Sequence, residues 1–375
     1  MKKTCFTDIC TLIMGQSPDS SSYNTNYEGL PFYQGNSDFG ELHPVPRVWC
    51  SESKKIAQEN DILISVRAPI GDLNIANEKC CIGRGLAAIR IINSDNVDLT
   101  YLYHFFESKR TYLQEKGTGS TFKAINKDSL INFVIPLPSI KEQESISQEL
   151  SALHLLIKGK KTQLFALDEL VKSRFIEMFG DCVNNTKGWG AYRLNDVCDV
   201  RDGTHDSPEY YSIGTPLITS KNISSGCLEF SNVNYISEED AKLINKRSKV
   251  DYGDILLPMI GTVGGAVIVD IEPNFCIKNV ALIKFTKSNI KNVFVREYLN
   301  SDAVNNVFEN VKNGGTQKFV GLGTIRNLTI SVPPIELQNE FAEFVKLIDK
   351  SKFIVQQQIK DLQELLDSKM DEYFR

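Results

Sequence analysis

The chain has 375 residues, 42% hydrophobic and 24% charged, with 42 Lys and Arg against 47 Asp and Glu and a formal net charge of −5. That length allows two or more domains with separate cores, and the charge argues against a free-standing polycationic nucleic-acid binder. No apolar run approaches the roughly 20 residues needed to span a bilayer. The opening MKKTCFTDIC lacks the apolar core of a signal peptide, and the nine cysteines form no CxxC pair. Together these predict a cytoplasmic protein with reduced, mostly buried thiols and no contact with membranes.

Taken in order, residues 1–138 read as a mixed α/β domain. The segment Gln16–Pro46, rich in Ser, Asn, Gly, Tyr and Pro, reads as surface loop. DILISV (Asp61–Val66) and LAAIRII (Leu86–Ile92) are short β-rich runs between turn residues, and Thr100–Lys116 is helical up to Gly117. Residues 139–180 form one long helix. Residues 181–333 then repeat the plan of the first domain. DILLPM (Asp254–Met259) stands where DILISV stood, CIKNVALIKF (Cys276–Phe285) answers CIGRGLAAIRI (Cys81–Ile91), and Val295–Lys312 answers the helix at Thr100. Residues 334–375 form a second long helix.

The two helices match without a gap. One offset carries Pro138 to Pro333, Ile140 to Ile335, Gln143 to Gln338, Leu167 to Leu362, Leu170 to Leu365, Ser173 to Ser368 and Phe179 to Phe374. Each carries a 3/4-spaced apolar seam. The first runs through Ile146, Leu150, Leu153, Ile157, Leu164, Leu167, Val171, Phe175 and Met178. The second runs through Phe341, Val345, Ile348, Val355, Ile359, Leu362, Leu366, Met370 and Tyr373. Two such faces predict a coiled-coil pair. About 40 residues at about 1.5 Å each give helices on the order of 60 Å long. A parallel pair would hold the termini of the second domain that far apart, whereas domain termini usually lie close together, so the pairing is antiparallel. Lys160 and Lys352 interrupt the seams near its middle and would favour one register. The fold class is therefore α+β: two mixed α/β domains joined by two long helices in an antiparallel coiled coil, with a pseudo-twofold internal repeat.

Catalytic chemistry is not visible. There is no GxxxxGK[ST] phosphate loop and no HExxH. The four histidines, His43, His104, His154 and His205, are scattered, which predicts no metal site. Val332-Pro333-Pro334-Ile335 lacks the polar residue and the aromatic of the amino-methyltransferase motif and reads as a helix start. Pro18-Asp19 followed by Glu28 has no lysine in nuclease spacing.

Two unlike domains, two matching helices and no catalytic motif resemble the specificity subunit of type I restriction–modification systems. GSTFKAINKDSLINFVIPLPSIKEQ, DILISVRAPIGDL, CIGRGLAAIR and RDGTHDSPEYYSIGTPLITSKNIS each look like segments of that family, and their order, twice over, carries the resemblance. The second copy departs from it at its helix start, with Ile335-Glu336-Leu337-Gln338 where the first has Ile140-Lys141-Glu142-Gln143. The resemblance implies two target-recognition domains, each reading one half of a bipartite site on double-stranded DNA, with the coiled coil setting the gap. It also implies two methyltransferase subunits, two motor-nuclease subunits, and S-adenosylmethionine, ATP and Mg on those partners, with no cofactor in this chain.

Partners that share phosphate neutralisation would reconcile DNA binding with a net negative chain, leaving local basic patches here. Candidate DNA-binding residues are Lys54, Lys55, Arg67, Arg84 and Lys123 in the first domain. In the second they are Thr204, His205, Lys221, Lys246, Arg247, Lys249 and Lys318, with a structural turn role also open for Thr204 and His205. Arg67 and Arg84 lie in turns beside strands, where a guanidinium can reach a guanine edge. Two other readings stay open: the specificity subunit of a fused methyltransferase–nuclease system, and a coiled-coil adaptor that binds protein or glycan.

Overall fold

The computed structural model describes residues 3–118, 123–223, 226–260, 265–285, 290–311 and 319–375. The chain divides into two compact units, residues 1–161 with 356–375, and residues 162–355.

In the first unit the central sheet has four antiparallel strands, β1 (Cys10–Met14), β4 (Ile62–Ser65), β5 (Leu73–Ile75) and β7 (Leu86–Ile91), in the order β1-β7-β4-β5. Its two faces differ in what covers them. Ile62, Ile64, Ala87 and Ile89 face the main core, while Leu63, Leu86 and Ala88 face a smaller cluster with Tyr33 and Ile82. This alternation is what a strand buried on both sides requires. Beyond the smaller cluster lies a five-stranded sheet that includes β2 (Leu30–Tyr33), β3 (Ile56–Ala57) and β6 (Cys80–Ile82), with β2 and β6 parallel.

The second unit repeats the central sheet. Its strands β8 (Asp199–Asp202), β11 (Ile255–Pro258), β12 (Val267–Ile268) and β14 (Val280–Lys284) take the order β8-β14-β11-β12, again antiparallel. Its small sheet has three strands, β9 (Thr215–Ile218), β10 (Asn234–Ile236) and β13 (Cys276–Ile277), with β9 and β13 parallel. Cys81 pairs with Phe32 in the first unit and Cys276 with Leu217 in the second, so the matched sequence runs occupy matched places.

Helix α1 (Leu99–Ser108) packs in the first unit and α4 (Asn292–Leu299) in the second, and a further helix, α3 (Glu238–Ser248), belongs to the second unit. The long helices α2 (Ile140–Phe179) and α5 (Ile335–Phe374) are each unbroken for 40 residues and form the antiparallel coiled coil. Their apolar faces do more than pair, and the second ends on Phe374 rather than the expected Tyr373. Ile146, Leu150, Leu153 and Ile157 of α2, with Leu366, Met370 and Phe374 of α5, are part of the first unit's main core. Phe374 sits edge-on to Tyr101 at 5.2 Å, and its carbonyl accepts from Lys109 Nζ at 2.7 Å. In the second unit Val171, Phe175 and Phe179 meet Phe341 and Val345 around Phe294. There Lys352, one of the two seam interruptions, ion-pairs with Asp168 at 2.6 Å.

A buried glutamine closes each junction. Gln143, 0% exposed, accepts from Asp98 N at 2.9 Å and donates to the carbonyls of Asn96 and Pro138, both at 3.0 Å. Gln338, 1% exposed, accepts from Lys291 N at 2.9 Å and donates to Pro333 O at 2.8 Å. The residue that matched across the repeat is thus the one that satisfies the backbone just before α1 or α4, where each domain meets its long helix.

Candidate nucleic-acid interface

Three chain segments converge beside β4 in the first domain. Val66 N donates to Gly85 O at 2.9 Å, Ala68 N to Lys123 O at 3.1 Å, and Ile125 N to Val66 O at 3.0 Å. These bonds gather Arg67, Arg84 and Lys123, all exposed, on one edge of the domain. Gly85 lets the Gln34 backbone come close to this edge, because a Cβ there would collide with the carbonyl oxygen of Gln34. Lys54 and Lys55 are exposed beside the same edge, with Lys55 O accepting from Ile82 N of β6 at 2.9 Å.

Arg67 also lines an open cleft of about 470 Å³ together with Tyr23, Phe32, Gln34, Asn36, Ser37, Asp38 and Arg47. Tyr23 and Phe32 stack at 4.7 Å, and Asp38 holds Arg47 while accepting from Gln34 N at 2.7 Å. Guanidinium and amide side chains beside aromatic faces are the chemistry that reads base edges. Gln34, Asn36 and Arg47 were missed from sequence. Gln34 and Asn36 lie in the segment read as loop and Arg47 directly follows it, and loops on a rigid scaffold are where binding residues concentrate.

The second domain divides its candidates differently. The Thr204 loop zips along β13, with Thr204 N donating to Ile277 O at 3.0 Å and Asn279 N to Thr204 O at 3.1 Å. His205 contacts Asn279 Oδ1 and Asp202 Oδ2, each at 2.8 Å, and Arg247 also pairs with Asp202, whose own exposure is 5%. The contacts with Asn279 and Asp202 raise the His205 pKa above its ordinary value. His205 and Arg247 are therefore held in place by a buried carboxylate, each with part of its surface still exposed. Lys246 is exposed in the last turn of α3, where a cation also suits the helix dipole, and Lys249 is exposed 3.7 Å from Asp251. Lys221 is exposed in the turn Ser220–Asn222. Lys318 lies outside the described residues. Lys278, donating to Ser207 Oγ at 2.7 Å, was missed, although CIKNV set against CIGRG places it beside the counterpart of Arg84.

The expectation that scattered histidines make no cluster needs correction. α1 packs against α2, and this brings His104 and His154 onto Glu107. His104 Nδ1 and His154 Nε2 each lie 3.0 Å from Glu107 Oε2, and His104 Nε2 lies 3.1 Å from Ser151 Oγ. Burial alone would raise the Glu107 pKa, but the two imidazoles outweigh it and hold the carboxyl at about 2. By contrast burial disfavours the thiolate at Cys10, Cys80, Cys182 and Cys198, pushing each up to about 12. Among the described residues, no helix is long and apolar enough to cross a membrane.

A repeated pair of domains, each seated on the same two helices and carrying a different set of polar and cationic side chains, defines a modular recognition protein. The model of the family described as type I restriction modification DNA specificity domain matches residues 1–166 and 186–364. The chain belongs to this family, as a type I specificity subunit with two target-recognition domains. The MjaIX type I restriction enzyme specificity subunit of Methanocaldococcus jannaschii is 29% identical over 343 residues, 84% of this chain and 77% of that protein. A second protein of that organism, carrying the MjaX specificity-subunit name, is 43% identical over 161 residues, 43% of this chain but only 38% of its own length. The crystal structure of the type I restriction–modification S subunit from M. genitalium superposes with a TM-score of 0.54 at 14% identity, over 100% of this chain and 96% of that one, a likeness of fold.

Proposed function

We propose that this chain is the non-catalytic, cytoplasmic subunit that reads a bipartite, asymmetric DNA site for a type I restriction–modification complex. Each target-recognition domain binds one half-site, and the coiled coil fixes the gap between them. The observation that carries this reading is the repeat itself. Sheet order and glutamine latch are the same in both domains. The turns after β6 and β13 differ, with Gly83-Arg84 in one and Lys278-Asn279 in the other. A scaffold kept constant under varied contact residues is what reading two different half-sites requires.

The chemistry belongs to partners: two methyltransferase subunits using S-adenosylmethionine for adenine-N6 transfer, and two motor-nuclease subunits using ATP and Mg. Large apolar side chains exposed on the long helices support such docking. They are Leu155, Leu156, Phe165, Leu170 and Ile176 on α2, and Leu347, Phe353, Ile354 and Leu365 on α5. Partners also supply part of the phosphate neutralisation that a chain of net charge −5 does not.

Domain exchange tests the proposal. Replacing residues 1–138 with the corresponding domain of another specificity subunit, in a cell supplying the methyltransferase, should change one half of the methylated sequence and leave the other half. A change in both halves, or in neither, contradicts it.

A further inference from the structure

Among the described residues, one group of side chains has the composition and convergence of a metal site: His104 and Glu107 on α1 and His154 on α2. We propose that these three bind one divalent transition cation of the zinc class, four-coordinate, with water from the adjoining cleft as the fourth ligand. The inference does not depend on how the chain reads DNA.

Geometry is the first support. The two imidazole nitrogens lie 3.0 Å from one carboxylate oxygen, and all three ligand atoms fall within 4.8 Å of one another. Ligands bound at about 2.0–2.1 Å in a tetrahedron lie about 3.3 Å apart, and two imidazoles sharing such a cation have ring centroids about 5 Å apart. The His104 and His154 rings are 5.3 Å apart and stacked within 7° of parallel, with their ligand atoms within 4.8 Å, so binding requires the more exposed His154 ring to turn and the ligand atoms to close by up to about 1.5 Å.

The ligands are also positioned in advance. His104 and Glu107 are three residues apart on one helix and so share a face. Ser151, one turn before His154, takes the far nitrogen of His104 at 3.1 Å. That contact fixes the ring and, with Nε2 as the donor, leaves the Nδ1 lone pair free to ligate, the usual role of a group behind a metal-bound histidine. His104 is 4% exposed, while the side chains of Glu107 and His154 are 33% and 36% exposed and open onto a cleft of about 630 Å³.

The repeat supplies an internal control. Aligning the two glutamine latches sets Asp98 against Lys291, which places Glu297, Asn300 and Asp349 where the first domain has His104, Glu107 and His154. The second domain seats on its long helix without any imidazole at these places. Seating alone therefore does not explain the triad. A bound cation would tie α1 to α2 and so fix the first domain to its helix.

The test uses the full chain with its two exposed thiols replaced, Cys5→Ser and Cys227→Ser, stripped with chelator and titrated with Co2+ and then Zn2+. One equivalent of Co2+ should give tetrahedral d–d absorption that Zn2+ displaces, and saturating Zn2+ should raise the melting temperature by a few degrees. His154→Ala should lose the absorption and bind about 100-fold more weakly. Glu107→Gln, which keeps the side-chain shape, should do likewise if the alanine variant folds poorly. No tetrahedral absorption in the parent chain, or undiminished binding in these variants, overturns the site.

Discussion

Replacing the latch glutamines with leucine removes polar contacts while nearly conserving volume. Gln143→Leu orphans three backbone groups: the Asp98 N–H and the Asn96 and Pro138 carbonyls. Among the described residues, Gln338→Leu orphans the Lys291 N–H and the Pro333 carbonyl. A buried polar group left without a partner costs about 1–3 kcal/mol, with carbonyls at the lower end because their second lone pair finds substitutes more easily. Because Asn96 and Lys291 are exposed and water can partly replace the lost partners, the expected losses are about 2–4 kcal/mol for Gln143→Leu and about 1–3 kcal/mol for Gln338→Leu, against the roughly 5–15 kcal/mol that holds a typical domain. Urea unfolding followed by tryptophan fluorescence reads each unit separately in single-tryptophan variants, Trp189→Phe keeping Trp49 of the first unit and Trp49→Phe keeping Trp189 of the second. Gln143→Leu should lower the midpoint reported by Trp49, and Gln338→Leu that reported by Trp189. Losses below about 1 kcal/mol for both would show that the latches are not what satisfies these junctions.

Other consequences are as direct. Phe374→Ala empties a position 2% exposed in the first unit's core and should cost about 3–5 kcal/mol by chemical denaturation. Arg67→Ala should weaken specific DNA retention by about 1–3 kcal/mol and relax one half-site, whereas Lys123→Ala should reduce the salt slope of retention by about 1 without altering the sequence read. His205, with its pKa raised by Asn279 and Asp202, stabilises the fold fully below its unfolded value of about 6.5 and loses that contribution as pH rises through the folded value. The stability gap between the native chain and His205→Gln should accordingly be widest near pH 6 and close towards alkaline pH. Inserting one heptad in both long helices should lengthen the recognised spacer by about three base pairs, since about 10 Å of helix matches about 3.4 Å per base pair.

The repeat, the long helices and their seams were legible because they rest on periodicity. What the seams do at their ends was not: the structure buries Phe179 and Phe374 in the domain cores where periodicity alone ends the seams on Met178 and Tyr373, and only packing shows that. The match of Gln143 with Gln338 was plain, but its reason lies in partners 45 and 47 residues earlier in the chain. Arg67, Arg84 and Lys123 could be picked out singly, while their convergence depends on backbone bonds across three segments. The fate of His205 and Arg247 turned on the burial of Asp202, which no local pattern announces. Helix α3 left a signal that went unread, Ser237 capping an acidic first turn with Lys246 and Arg247 in the last.

The central claim, that this chain selects the DNA sequence on which partner enzymes act, is tested most directly by methylation. Expressed with its cognate methyltransferase in a host lacking adenine methylation, the chain should produce N6-methyladenine on both strands of one interrupted, asymmetric motif, mapped across the genome. A competent methyltransferase that leaves the genome unmodified in the presence of this chain, or that methylates an uninterrupted motif, would contradict the account.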